Sequence, residues 1–313
     1  MRSQAPWILL IVALAASASG CSLKRMAVNS VANSIAAGGD VFARDDDPEL
    51  VRDAVPFGLK TMEALLETVP KHRGLLLAAC QGYTQYAYGF VQLDAEEIEP
   101  TNYDRATQLK DRALKLFLRA RDFGVRGLEV KHKGLGSKIA AHPDSALRAL
   151  KREDLPLIYW TAASWGSAIN LGKDRPELTA DIAVVKALIE RGLALDETYD
   201  HGALHAAMIL MESLPPAMGG SPERARQHFK RAVELSGGLT PVPYVSLAQS
   251  VSVAAQNRAE FRDLLDKALA INPDTDPHER LQTLLLQRKA RSLLAHEDEL
   301  FLEPDTTHAE APR

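Results

Sequence analysis

The chain has 313 residues, 46% hydrophobic and 25% charged, with a formal net charge of -4. That is enough apolar material for a core, and the mild acidity gives no general electrostatic pull toward nucleic acid. Aromatics make up only 6% while Ala and Leu abound, which favours helix over sheet because neither loses much on entering a helix.

Residues 1–21 open with one positive charge, Arg2, before an apolar run from Trp7 to Ala16; small residues then lead into Gly20-Cys21. The run is too short to span a bilayer and suits a signal peptide over residues 1–20. Ala18-Ser19-Gly20-Cys21 resembles a bacterial lipobox, with Ala18 where Leu is commoner. Cys21 is then the lipid anchor, its acyl chains holding the mature protein at a membrane surface. The plainer alternative is cleavage near Ser19 with Cys21 incidental. Ser22 rather than Asp follows the cysteine, which by the sorting rule of enteric bacteria favours the outer membrane. The expected location is therefore the envelope of a Gram-negative bacterium, facing the periplasm. With Cys21 acylated, Cys80 has no partner within the chain, and it reads as a small buried hydrophobe.

Residues 21–44 form the anchored segment with a first helix over about 24–37, stopped by Gly38-Gly39. Asp45-Asp46-Asp47-Pro48 is a helix start, since acidic residues favour the positive helix end and proline suits the first turn. Helices are expected at about 57–68, 71–94, 101–122, 143–151, 155–172, 178–194, 201–213, 222–235, 241–255, 258–270 and 277–295. Ile182, Val185, Ile189 and Leu193 lie along one stripe, as do Leu264, Leu265, Ala268 and Leu269. Pro70, Pro100, Pro215-Pro216 and Pro273 punctuate the ends. Residues 45–298 read as a helical repeat domain and 299–313 as a flexible tail.

The helices pair. Ala225, Phe229 and Ala232 have the four-then-three spacing of a tetratricopeptide second helix: a small residue at the crossing, an aromatic knob, another small residue. Tyr244, Leu247 and Ala248, then Phe261, Leu265 and Ala268 before Pro273, give a looser copy; Tyr103, Ala106 and Ala113 give a fainter one. The expected fold class is all-α, a TPR-like superhelix (solenoid) of α-α hairpins, because no hairpin buries its apolar face alone.

One segment is more specific. Pro215-Pro216-Ala217-Met218-Gly219-Gly220-Ser221-Pro222-Glu223-Arg224-Ala225-Arg226-Gln227-His228-Phe229, with the lipoprotein leader, the aromatic helix around Tyr83 to Phe90 and the helix Tyr159 to Asn170, resembles the T-component (TatT) family of lipoproteins associated with TRAP transporters. The likeness covers most of residues 21–295, and the Ala-Met-Gly-Gly stretch followed by His-Phe carries most of its specificity. It implies an accessory protein of a TRAP-type solute transport system, docking on a periplasmic solute-binding protein, with a homotrimer among its allowed assemblies. It further implies handling of a small organic ligand, an acid or a hydrophobic molecule. It brings no catalytic residue and no cofactor, so the chain is not expected to be an enzyme. A scaffold lipoprotein of outer-membrane or cell-wall assembly is the alternative.

Several side chains are candidates for ligand or partner binding. Tyr83, Tyr86 and Phe90 recur at spacings of three and four, while Trp160, Trp165 and Asn170 share another helix. They either line an apolar pocket or pack as knobs between hairpins. Met218, Gly219 and Gly220 precede a helix start whose amides could greet a carboxylate, or they simply make a turn. His201 and His205 stand four apart beside Asp200 and Glu212, yet without a third ligand at zinc spacing, so no metal is expected. The basic loop Lys131 to Lys138 lacks the phosphate-loop spacing, and no G-x-S-x-G elbow occurs.

Overall fold

Local side chains fix where the helices begin. Asp47 accepts hydrogen bonds from the amides of Glu49 and Leu50, Asn102 from Arg105, Ser221 from Arg224 and Asn257 from Glu260. Each satisfies a donor that has no partner within its helix. In a computed structural model of the chain, residues 25–302 are described, 37 and 39 excepted. The expected leader with Cys21, and residues 303–313, lie outside them.

The chain is all-helical, and no strand occurs among the described residues. Helix α1 covers residues 25–36 and α2 Pro48–Thr68. Helix α3 starts as Arg73–Tyr86, passes through a π-helical turn at Ala87–Gln92 and continues as Leu93–Ile98. Then come α4 (Tyr103–Glu129), α5 (Leu155–Leu171), α6 (Ile182–Leu195), α7 (Ala203–Glu212) and α8 (Pro222–Leu235). The series ends with α9 (Val242–Leu247, prolonged by a π turn at Ala248–Ser252), α10 (Arg258–Leu269) and α11 (Arg280–Ala295).

Four features depart from the expected elements. Helix α2 begins at Pro48, the expected start, with Asp47 as its cap, but it runs unbroken through the separate helix expected over 57–68, accommodating Pro56 inside. Helix α4 runs to Glu129, past the expected stop near Gly124, because its glycines are crossing points. A Cβ on Gly124 would sit 2.2 Å from Thr161 Oγ1, and one on Gly127 would sit 2.6 Å from Leu157 Cδ2, so α5 packs directly on this stretch. Residues read as a basic loop supply the short helix Leu135–Ala141, followed by Pro143–Leu147. The expected tail starts too early: Phe301 is buried against Phe261, ring centroids 5.1 Å apart.

Helices pack mainly on their sequence neighbours: α3 on α4, α4 on α5, α5 on α6, α6 on α7, α7 on α8 and α10 on α11. Contacts also skip one helix, α3 to α5 and α7 to α9. One large apolar cluster runs from Ala32 to Met208 and takes in Leu285; a second joins Ile209 to Phe301. The last helix then returns to the beginning of the chain. Lys289 Nζ reaches Glu96 Oε2 at 2.9 Å, Arg288 reaches Asp94 at 3.0 Å and pairs with Glu97, and Arg280 donates to the Arg44 carbonyl at 3.1 Å. Among the described residues, no helix is long and apolar enough to cross a membrane.

Candidate functional site

Most of the aromatic residues singled out in the sequence are packed. Tyr83, Tyr86, Phe90 and Trp165 are all buried. Tyr83 stacks on Phe123 with centroids 5.8 Å apart and donates to Glu63 Oε1 at 2.7 Å. Tyr86 contacts Phe90 at 5.8 Å. Trp165 Nε1 donates to Asp181 Oδ2 at 3.1 Å, with Arg121 over its ring. Among the described residues, no ring contact joins the Tyr83–Phe90 run to Trp160 or Trp165. Asn170 is exposed at the end of α5. Burial pushes the Cys80 thiol up to about 12, as expected of an inert core cysteine.

The Met218-Gly219-Gly220 loop is held from inside. Gly219 has φ +86, and a Cβ on Gly220 would lie 1.8 Å from the Leu214 carbonyl oxygen. The amide of Ser221 donates to the Glu212 carbonyl at 2.8 Å, and Arg224 donates to the Gly219 carbonyl at 2.6 Å. The buried Glu212 carboxylate takes Lys186 at 2.9 Å and Arg224 Nε at 2.8 Å. Burial works to raise Glu212, but the hydrogen bonds from Arg224 and Lys186 outweigh it and keep the carboxyl below its ordinary range. The helix start is thus engaged within the fold, and Met218 alone projects from the loop.

His201 and His205 do not share a helix face. His201 precedes α7 in left-handed backbone (φ 54) beside Asp200 (φ 47), while His205 lies within the helix and is buried. His205 Nδ1 meets His228 Nδ1 at 2.8 Å, and its Nε2 faces Glu197 at 3.2 Å. No group of three metal-holding side chains forms among the described residues.

A different constellation stands out electrostatically. Tyr159 on α5 lies 5.7 Å from Tyr199, whose turn leads into α7, and 5.0 Å from Trp160, ring centroid to centroid. Asp200 follows in that turn, and Glu279, from the turn before α11, is close enough to feel its charge. Asp200 is exposed to solvent, yet desolvation raises its carboxyl, with His201 opposing. Tyr159, Trp160 and Tyr199 thus form a half-buried aromatic cluster, with Asp200 next in the chain to Tyr199 and open to solvent. Glu279 is pushed up to about 7 by desolvation, then by Asp200 and Asp276, with His278 opposing. Desolvation also raises the Tyr159 and Tyr199 hydroxyls. Of the aromatics expected at a site, Trp160 belongs to this cluster. Asp200 entered the sequence reading only as a neighbour of His201 and His205, and Tyr199 and Glu279 only within helix ends. A shallow depression of ≈ 110 Å³ lies elsewhere, lined by Arg73, Gly74, Leu77, Glu153, Pro156 and Leu157. Beside it, the fully buried Asp154 is held by Arg73 at 2.6 Å and His132 at 2.9 Å.

The sequence model of the TRAP transporter T-component family matches residues 44–301, nearly all of the helical array. The chain belongs to the TRAP transporter T-component family. A relative from Treponema pallidum (strain Nichols), described as an uncharacterized protein, is 29% identical over 304 residues, covering 91% of this chain and 94% of the relative. The T-component family is one of transport accessories, which associates the chain with a TRAP system and, through it, with the cell envelope.

Proposed function

We propose that this chain is the accessory component of a TRAP-type solute transport system. In this reading it is a periplasm-facing lipoprotein, anchored through Cys21 at the outer membrane of a Gram-negative bacterium. Its paired helices stack as a TPR-like solenoid, docking on a periplasmic solute-binding protein and holding a small organic solute beside the aromatic cluster of Tyr159, Trp160 and Tyr199. The observation that carries this is the family match over residues 44–301. The ring contacts of Tyr159 with Trp160 and Tyr199 support the solute-holding part, because aromatic side chains are what small-ligand sites are largely built from. Docking by one member of each helical pair along a concave face is how stacked hairpins generally present a surface to a partner.

The test is chemical crosslinking in intact cells, followed by purification of the tagged chain from detergent-solubilised membranes. The solute-binding protein of a TRAP system should be recovered as the principal adduct. Recovery of cell-wall or outer-membrane assembly factors in its place would contradict the transport reading.

A further inference from the structure

Helices α7 and α8 form an antiparallel hairpin tied across its length. At the loop end, the Glu212 carboxylate takes Arg224 Nε at 2.8 Å and Lys186 at 2.9 Å. At the open end, Glu197 pairs with Arg231. Between these ion pairs the tie is of another kind. His205 Nδ1 on α7 lies 2.8 Å from His228 Nδ1 on α8, with ring centroids 5.1 Å apart. His205 is buried and His228 half-buried.

Two like nitrogens hold each other only while one carries a proton and the other a lone pair. The neighbours place those protons. His205 Nε2 faces the Glu197 carboxylate at 3.2 Å, and a carboxylate only accepts, so Nε2 bears a hydrogen. Neutral His205 therefore has its lone pair at Nδ1, and His228 Nδ1–H donates to it. A first added proton enters at Nε2 of His228 and strengthens that bond, because the donor is then charged. A second has only His205 Nδ1 to enter. Both facing nitrogens then carry hydrogens, the bond is lost, and two like charges confront each other in a partly desolvated space.

The surroundings oppose that second charge. Glu197 attracts a proton to His205 and Arg231 repels it; His228 is faced by Glu212 from α7, Lys186 from α6 and Arg224 from α8. Helix α9, also packed on α7, carries no acidic or basic side chain, and Tyr244 is its one titratable group. Burial foremost, and for His228 the neighbouring His205, hold both imidazoles below their ordinary value.

We propose that His205 and His228 form a proton-operated latch between α7 and α8, shut while the two rings share at most one added proton and released when both are charged. Unfolded histidine titrates at about 6.5, so with folded values below that the latch contributes fully above about pH 6.5 and is lost as pH falls through the folded values. Glu197 and Glu212 titrate below the ordinary carboxylate range and remain ionised meanwhile. Mild acid therefore loosens the hairpin that carries the Met218-Gly219-Gly220 loop, while its end ties persist. The latch goes beyond the transport role and does not depend on it.

Hydrogen exchange of the full mature chain between pH 7.5 and pH 5, expressed as protection factors corrected for intrinsic rates, tests this. Protection in α7 and α8 should fall about tenfold or more, while α10 and α11 stay within about twofold. In His228→Phe, which keeps a ring but removes its nitrogens, the fall in α7 should shrink to about twofold. NMR of isotope-labelled histidines in the unmodified protein should show, at pH 7.5, one ring proton coupled to nitrogens of both imidazoles, and its loss over the range in which the hairpin loosens. Protection that ignores pH, an equal fall in α10 and α11, or a full fall retained in folded His228→Phe overturns the proposal. Should the variant fail to fold, the coupling decides: its absence at pH 7.5, or its survival at pH 5, overturns the latch.

Discussion

Gly220 has no room for any other side chain. Its missing Cβ leaves space for the Leu214 carbonyl, 1.8 Å from where that carbon would sit, so Gly220→Ala forces backbone to move. A loss of about 3 kcal/mol or more is expected in urea unfolding, against about 1 kcal/mol for Gly219→Ala, whose open surroundings leave only the left-handed backbone to oppose it. Glu212 is the second residue whose removal should be felt. Glu212→Gln leaves Lys186 and Arg224 without their carboxylate and should cost about 2–3 kcal/mol at neutral pH, near the lower end for a broken buried pair because both cations keep some solvent. The Glu212 carboxyl is held below its unfolded value, so its contribution is complete above about pH 4.5 and lost as pH falls through the native value. Unfolding curves of the two proteins should therefore converge in acid. A gap that stays constant between pH 7 and pH 3 would show that the carboxylate's charge is not the source. The sequence pointed to this loop through Met218-Gly219-Gly220, but named Glu212 only beside His201 and His205, because a glutamate at a helix end carries no sign of the lysine and arginine that will meet it.

At the scale of elements, helix starts were the most legible feature. Ser221-Pro222 and Asn257 open α8 and α10 where their cap chemistry says they should. Helix interiors were less so, since Gly124 reads as a breaker until Thr161 is seen against it. The π turn at Ala87–Gln92 had no local signature, and Tyr83, Tyr86 and Phe90 are all buried. Beside that turn, Tyr88 meets Lys289, 5.6 Å from ammonium to ring centroid. Lys289 is 8% exposed and paired with Glu96, which ties α11 to the end of α3. Lys289→Ala strands Glu96 and is expected to cost about 2–4 kcal/mol. Hydrogen exchange should show the loss confined mainly to α11 and residues 93–98, with α4 and α5 unchanged. Loss of protection spread evenly over all helices would mean that the return of α11 is not a separable unit.

For the whole molecule, the all-helical class followed from an alanine- and leucine-rich composition and from apolar stripes. The Tyr159–Tyr199 contact did not, because the two lie far apart in sequence and meet only when the turn before α7 packs on α5. The T-component assignment joins these levels: a helical array covering residues 44–301, and a lipid anchor expected ahead of it. Partner binding decides whether they work as one device. The most direct measurement is calorimetric titration of the mature chain with the purified solute-binding protein of a TRAP system from the same organism. A saturable complex with a dissociation constant of about 10 μM or tighter is expected. No heat and no co-sedimentation at about 100 μM of each protein, with both shown to be folded, would contradict the transport role.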